Sequence, residues 1–242
     1  MPTGNPLAKF SCFVTGTDTE IGKTLVAAAI IHELVQQGRV VAAMKPVAAG
    51  TTCIDGRRSN EDVDTLLSQA NASVPLDWVV PYLFDDPVAP HIAADKTGVQ
   101  MSSEVIVHAF DQLHAVADSV VVEGAGGFCV PISDCEDLSD VARELALPVV
   151  LVVGMRLGCI SHAVLTAQAI RARGLTLAGW VANTVDPEMP YLKENIETLT
   201  VRLPAPFFGH IPRLDHADPA RAATYLDFTR WVGWPGDHAS VA

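Results

Sequence analysis

The chain has 242 residues, 49% apolar and 18% charged, which supplies a buried core and excludes global disorder. Sixteen Lys and Arg against 28 Asp and Glu leave a formal net charge of −12, without the basic footprint of a nucleic-acid binder or of a protein docking on anionic lipid. The longest apolar run, Leu145 to Met155, has eleven residues interrupted by Pro148 and Gly154, well short of the about 20 that a membrane-spanning helix needs.

The first residues, MPTGNPLAKF, carry no basic start followed by an apolar stretch, so no signal peptide is read and a cytoplasmic location is expected. Cys12, Cys53, Cys129, Cys135 and Cys159 are odd in number and scattered, which fits reduced thiols and no zinc site.

The first predicted strand is Phe10–Thr15, followed by the loop Gly16-Thr17-Asp18-Thr19-Glu20-Ile21-Gly22-Lys23-Thr24 and a helix over Lys23–Gln37. A strand, a glycine loop ending in Gly-Lys-Thr and a long helix form a phosphate cradle, here with five residues between the glycines instead of the usual four. Gly22 lets backbone approach a phosphate, and N–H groups at the helix start face the anion. Lys23 can neutralise phosphate charge, and the Thr24 hydroxyl can reach Mg²⁺. Asp18 and Glu20 are unusual beside an anion. Either they cap the helix or face solvent, or Thr19 and Glu20 face a second substrate.

The second strand, Arg39–Lys45, ends at Lys45, where a second cation could stabilise a transferring phosphoryl group; Pro46 fixes the backbone after it. A helix over Asp62–Ala70 opens with Glu61, Asp62 and Asp64, any of which could be a further metal ligand or simply favour the helix macrodipole. After a helix over Ser103–Ala117, the strand Ser119–Glu123 ends in an acid followed by Gly124, Gly126 and Gly127. A carboxylate there, beside the strand of the phosphate cradle, suits the metal side of a phosphoryl-transfer site.

A helix over Leu138–Leu145, a strand over Pro148–Val153, a helix over Ser161–Arg173, a strand over Leu177–Asn183, a helix over Tyr191–Arg202 and a strand over Phe207–Ile211 complete the pattern. Gly38 and Gly174 stand where helix C-caps are expected. The strands are apolar nearly throughout, as in parallel sheets covered on both faces. The expectation is a single α/β domain over residues 1–242: a doubly wound, mostly parallel sheet of the P-loop NTPase type, with chemistry at the carboxyl ends of its strands.

Together these residues resemble the dethiobiotin synthetase family. The match includes Val14–Thr24, Lys45–Ala48, Asn60–Asp62, Pro90–Ile92, Val122–Gly127, Val152–Ile160 and Gly179–Asn183. The resemblance implies an ATP- and Mg²⁺-dependent ligase that joins CO2 to 7,8-diaminononanoate. A carbamate and a carbamic–phosphoric anhydride would lead to a cyclic urea. It places Mg²⁺ on Thr24, Asp62 and Glu123, and gives charge stabilisation to Lys23 and Lys45.

By the same resemblance, backbone from Glu20, Ile21 and Gly22 to Leu25, with Gly124, Ala125 and Gly126, would cradle phosphates. Asn183, Thr184 and the Pro212-Arg213-Leu214 stretch would hold the adenine. The second substrate would meet Thr19, Lys45 and Ala49. Its carboxylate would meet the helix start Gly158-Cys159-Ile160-Ser161 of a partner subunit in a homodimer, with Cys159 a small packing residue.

Ala49 stands where a hydroxyl is common in that family, so one substrate contact is either lost or taken over by Thr51 or Thr17; Arg156 stands where Lys is common. His32, His108, His114 and His162 fall within helical patterns and are expected to be structural, and His91 to order a loop.

Two other classes compete. A nucleotide-switch ATPase of the partitioning or division-site type carries an early loop lysine where this chain has Asp18. A cobyric-acid-type amidoligase would usually bring an attached glutaminase domain, for which no Cys–His pair is visible.

Overall fold

A computed structural model describes residues 8–54 and 56–235. The readings made on the first residues and on the tail after Pro235 lie outside them, apart from Ala8 to Phe10.

Six parallel strands form the central sheet: β1 (Phe10–Gly16), β2 (Val41–Met44), β7 (Ser119–Glu123), β8 (Val149–Met155), β9 (Leu177–Thr184) and β10 (Phe207–Ile211). Their order is β10-β9-β8-β1-β7-β2, so β1 lies in the interior between β7 and β8. β1, β7, β8 and β9 are buried almost throughout, which explains why they read as unbroken apolar runs.

One face is covered by α1 (Lys23–Gln36), α2 (Glu61–Gln69) and α9 (Pro219–Ala223). The other face is covered by α5 (Ser103–Val116), α6 (Leu138–Leu145), α7 (Cys159–Ala172) and α8 (Leu192–Arg202). Gly38 and Gly174 have φ of 78° and 76° just past α1 and α7, in the left-handed region that ends a helix.

β2 begins at Val41, two residues later than the apolar run suggests. Arg39 is buried and donates from Nε to Ser119 Oγ at 2.8 Å, while Val40 N donates to Asp118 Oδ2 at 2.9 Å. Side-chain bonds thus supplement the backbone bonds that Val40 O accepts from Asp118 N at 2.8 Å and Ser119 N at 3.1 Å, ahead of the regular ladder. α7 begins two residues earlier than the sequence pattern, because Gly158 at φ 96° turns the chain directly into helix.

Short elements that carry no readable period were missed. β3 (Val47–Ala49) pairs in parallel with β6 (Tyr82–Phe84), and β4 (Thr52–Ile54) with β5 (Arg57–Ser59) forms a hairpin. α3 (Leu76–Val79) and α4 (Pro90–Thr97) flank β6. His91 therefore sits in the first turn of α4 and not in a loop.

Two of the four histidines expected to be structural have defined partners. His32 Nδ1 lies 3.1 Å from Gln69 Oε1, and His114 stacks on Phe110 with centroids 5.5 Å apart. An aromatic cluster at the amino ends of the strands joins the two ends of the described chain. Phe10 packs edge-on to Trp231 and Trp234, at 5.0 and 5.3 Å between centroids, and Trp231 stacks on Phe208.

Asp137 caps α6 and forms a capping box with Asp140, and Arg173 pairs with both acids. The Asp137 N–H at 3.0 Å from Asp140 Oδ2, and then the Arg173 charge, hold the Asp140 carboxyl below its ordinary value. A depressed folded-state value stabilises the fold above the unfolded carboxyl range and is lost as pH falls through the folded value. Asp140→Asn should therefore cost about 1 kcal/mol at pH 7. In urea melts at stepped pH, that gap should close below about pH 4.

Candidate active site

The carboxyl ends of β1, β2 and β7 and the start of α2 bring four side chains into one cluster. Lys45 follows β2 and is 3% exposed; Glu123 ends β7 and is 1% exposed. Lys45 Nζ donates to Glu123 Oε1 at 2.6 Å and to Asp62 Oδ2 at 2.7 Å. The Thr24 hydroxyl lies 2.8 Å from Asp62 Oδ1 and 2.9 Å from Glu123 Oε1.

Asn60 sets this phase of α2. Its Oδ1 caps Val63 N at 3.2 Å, and its Nδ2 donates to Gly50 O at 2.8 Å, fixing the helix start against the chain after β3. Asp62 consequently turns inward, while Glu61 and Asp64 are exposed. The three acids that their pattern alone left undecided, and among which the family resemblance pointed to Asp62, are thus separated by geometry.

Burial works against the Lys45 ammonium, but the Glu123 and Asp62 carboxylates outweigh it and hold Lys45 above its ordinary value. Burial raises the Glu123 carboxyl, against the pull of Lys45. Asp62, with 44% of its side chain exposed, is held low by Lys45 and Thr24 despite its partial desolvation. Lys23 is buried, with no carboxylate in contact among the described residues. Burial, with the Lys45 charge adding to it, lowers its ammonium to about 8.

Glu123 Oε2 is buried and has no hydrogen-bond partner among the described residues. A bare carboxylate oxygen beside a second carboxylate and a hydroxyl is a hard, all-oxygen donor set of the kind Mg²⁺ takes. Among the described residues no three His, Cys, Asp or Glu side chains cluster as a metal site, so the remaining ligands of a bound Mg²⁺ would have to be substrate oxygens and water.

The loop from Gly16 to Thr24 is shaped by close packing. Gly22 sits at φ 88° as the N-cap of α1 with no side-chain cap, leaving the helix start open to an anion. Glu20 is also left-handed, at φ 54°, and is exposed like Thr19. Ile21 is 1% exposed and fills the space left by two glycines. A Cβ on Gly16 would lie 2.6 Å from Ile21 Cδ1, and one on Gly154 would lie 2.5 Å from Ile21 Cγ2. Asp18 neither caps the helix nor faces solvent freely; its carboxylate pairs with Arg156.

Asn183 Nδ2 donates to Ile21 O at 2.9 Å, so this side chain clasps the loop from the end of β9. Thr184 Oγ1 lies 2.7 Å from His210 Nε2. Pro212, Arg213 and Leu214 follow β10 directly, next to Asn183 in the sheet register. Gly124, Ala125 and Gly126 follow Glu123, with Gly126 at φ 60°.

Ala49 ends β3, close enough to Asn60 for its carbonyl to lie 3.3 Å from Nδ2. Neither threonine considered as its substitute is free of partners: Thr51 bonds Asp85, and Thr17 Oγ1 lies 3.4 Å from Gly154 N. Cys159 is 1% exposed at the start of α7 and its thiol is raised by burial, so it packs and is not an activated nucleophile. All five cysteines are free thiols.

Sequence reasoning missed the roles of Asn60, Ile21 and the Asp18–Arg156 pair. The Asn before a run of acids was a readable N-cap signal; the other two needed the fold.

A family model described as an AAA domain matches residues 11–221. The chain is similar to the ATP-dependent dethiobiotin synthetase BioD of Janthinobacterium sp. (strain Marseille), 52% identical over 94% of this chain and 98% of the relative. It is likewise similar to that of Aromatoleum aromaticum, 54% identical over 88% of this chain and 95% of the relative.

Among solved structures, the MinD cell division protein of Aquifex aeolicus shares the fold at TM-score 0.54 and 18% identity, over 88% of this chain and 93% of the other. A ParA family ATPase from Chlorobium tepidum does so at 0.53 and 13%, over 89% of both. These likenesses show a P-loop NTPase fold and no more. The identity to the biosynthetic relatives decides between the competing classes: this chain belongs to the family of ATP-dependent dethiobiotin synthetases, enzymes of biotin biosynthesis.

Proposed function

We propose that the Thr24–Lys45–Asp62–Glu123 cluster, with Lys23, is where this chain carboxylates 7,8-diaminononanoate and closes the urea ring at the expense of ATP. The convergence of those four side chains on contacts of 2.6 to 2.9 Å, with Glu123 Oε2 left bare, carries the reading.

One amine of the diamine attacks the carbon of CO2 and loses a proton, giving a carbamate. A carbamate oxygen then attacks the γ-phosphorus, the bond to the ADP oxygen breaks, and a carbamic–phosphoric anhydride forms. The second amine attacks the anhydride carbonyl, loses a proton and expels phosphate as the ring closes. A carbamate is a weak nucleophile, so the site mainly aligns reactants and offsets charge.

Lys45 lies where it can hold the carbamate, and Lys23 where it can meet the phosphates as they take on charge. The Gly22 turn and the N–H groups through Leu25 offer further donors to the phosphates. Mg²⁺ bound by Thr24, Asp62 and Glu123 would neutralise charge on the transferring phosphoryl group.

Asn183, Thr184 and the Pro212–Leu214 stretch are assigned to the adenine. Thr19 and Ala49 are assigned to the diamine. Its carboxylate is assigned to the α7 start, Gly158 to Ser161, of a second subunit, which makes the working unit a homodimer. The open N-terminus of α7 and the 94% exposed Leu157 beside it support that assignment. No described helix is long and apolar enough to cross a membrane, and a cytoplasmic location is proposed.

Phosphate release from MgATP and bicarbonate, with and without the diamine, tests the reading in the unaltered chain and in Lys45→Ala. Release should require the diamine and fall at least about 100-fold in the variant. Diamine-indifferent hydrolysis would count against the ligase assignment, and an active Lys45→Ala against the assigned role of Lys45.

A further inference from the structure

The phosphate loop is tied to β8 and the residue after it at every second position. Thr17 N donates to Val152 O at 3.0 Å, and Gly154 N lies 3.4 Å from Thr17 Oγ1. Arg156, two residues further on, pairs through Nη2 with Asp18 Oδ2. A spacing of two is the period with which a strand presents one side.

Asp18 is held at two more atoms. Its Oδ1 accepts from Thr19 N at 2.8 Å, and its carbonyl oxygen accepts from Lys23 Nζ at 2.7 Å. The buried Lys23 ammonium therefore rests on a peptide whose side chain Arg156 secures. Arg156 is itself fixed at its other end, where its carbonyl accepts from Cys159 N at 3.0 Å and closes the turn into α7.

We propose that Asp18 and Arg156 are positioning residues whose ion pair fixes the Asp18 peptide and, through it, the placement of Lys23 toward the phosphates of ATP. The two side chains are 40% and 44% exposed. Their attraction is screened and contributes little to folding, so the effect falls on placement. A cation displaced by a fraction of an ångström loses transition-state contact while the fold is unchanged.

The inference rests on the reading of Lys23 as a phosphate contact, so its test includes Lys23. Three quantities are measured on the full chain: kcat and KM for ATP in diamine-dependent phosphate release, Kd for a non-hydrolysable ATP analogue, and the thermal midpoint without ligand. Arg156→Gln and Asp18→Asn should each lower kcat about fivefold and weaken the analogue, with midpoints within about 2 °C of the unaltered chain. Arg156→Lys, which keeps the charge, should restore kcat to within about twofold.

In the Lys23→Ala background, adding Arg156→Gln should leave the analogue Kd unchanged, because the group being positioned is gone. A further loss of affinity in that background, unchanged kcat in both single variants, or midpoints that fall in step with activity would each overturn the proposal. If Lys23→Ala itself turned over ATP normally, the assignment of Lys23, and not the pair alone, would fail.

Discussion

Glu123→Gln is expected to lower diamine-dependent turnover by about 10²- to 10³-fold and to weaken the fold by about 2–3 kcal/mol. Glu123 Oε1 is the shorter of the two carboxylate contacts to Lys45 and also meets Thr24, and its partner Oε2 is the bare oxygen assigned to the metal. An amide is isosteric, so the shape survives while the buried ammonium keeps only Asp62 as a counter-charge. The magnesium concentration for half-maximal rate should rise at the same time.

A double variant separates the two consequences. In Lys45→Met/Glu123→Gln neither buried charge remains, and a buried pair removed together costs less than one partner removed alone. Its urea midpoint should recover toward the unaltered value while turnover stays at background. Turnover of Glu123→Gln within tenfold of normal would remove Glu123 from the chemistry.

Gly22→Ala should cost about 2–3 kcal/mol of stability and raise the ATP-analogue Kd at least about tenfold. Two strains add. At φ 88° an alanine pays for a left-handed backbone, and its Cβ would stand 2.3 Å from Asn183 Nδ2. To make room, Asn183 must release the Ile21 carbonyl it now meets at 2.9 Å, and the loop backbone shifts with it. Adding Asn183→Ala should relieve the collision but not the backbone strain, so binding should improve only in part. Unchanged binding and melting in Gly22→Ala would mean that Asn183 is not what seats the loop.

The central sheet was legible because its strands are covered on both faces. Ser119–Glu123 and Phe207–Ile211 have in the structure the bounds expected from the sequence. The Gly-Lys-Thr loop and Glu123 were legible because glycine and charge interrupt those runs at the sheet's carboxyl edge.

The hairpin of β4 and β5 was not legible, since three-residue strands show no period. Spacing alone did not tell Asp62 from its neighbours; the family resemblance picked it out, and Asn60, by fixing where the helix starts, turns it inward. The Asp18–Arg156 pair joins positions 138 apart, and nothing local announces it. Gly154 read as an interruption in an apolar strand, whereas its lack of a side chain is what admits Ile21.

The interior position of β1 has a consequence for how the chain is made. Its first ladder partner toward β7 is 109 residues later in sequence, and β8 follows later still. A ribosome has therefore emitted the whole phosphate loop long before either flanking strand exists. Until then an apolar strand with two open edges waits in solution, in a topology whose distant pairings are intrinsically slow to form. Trp231 and Trp234, which pack on Phe10, lie downstream of all six strands of the central sheet, so this contact closes only after every one of them has been made.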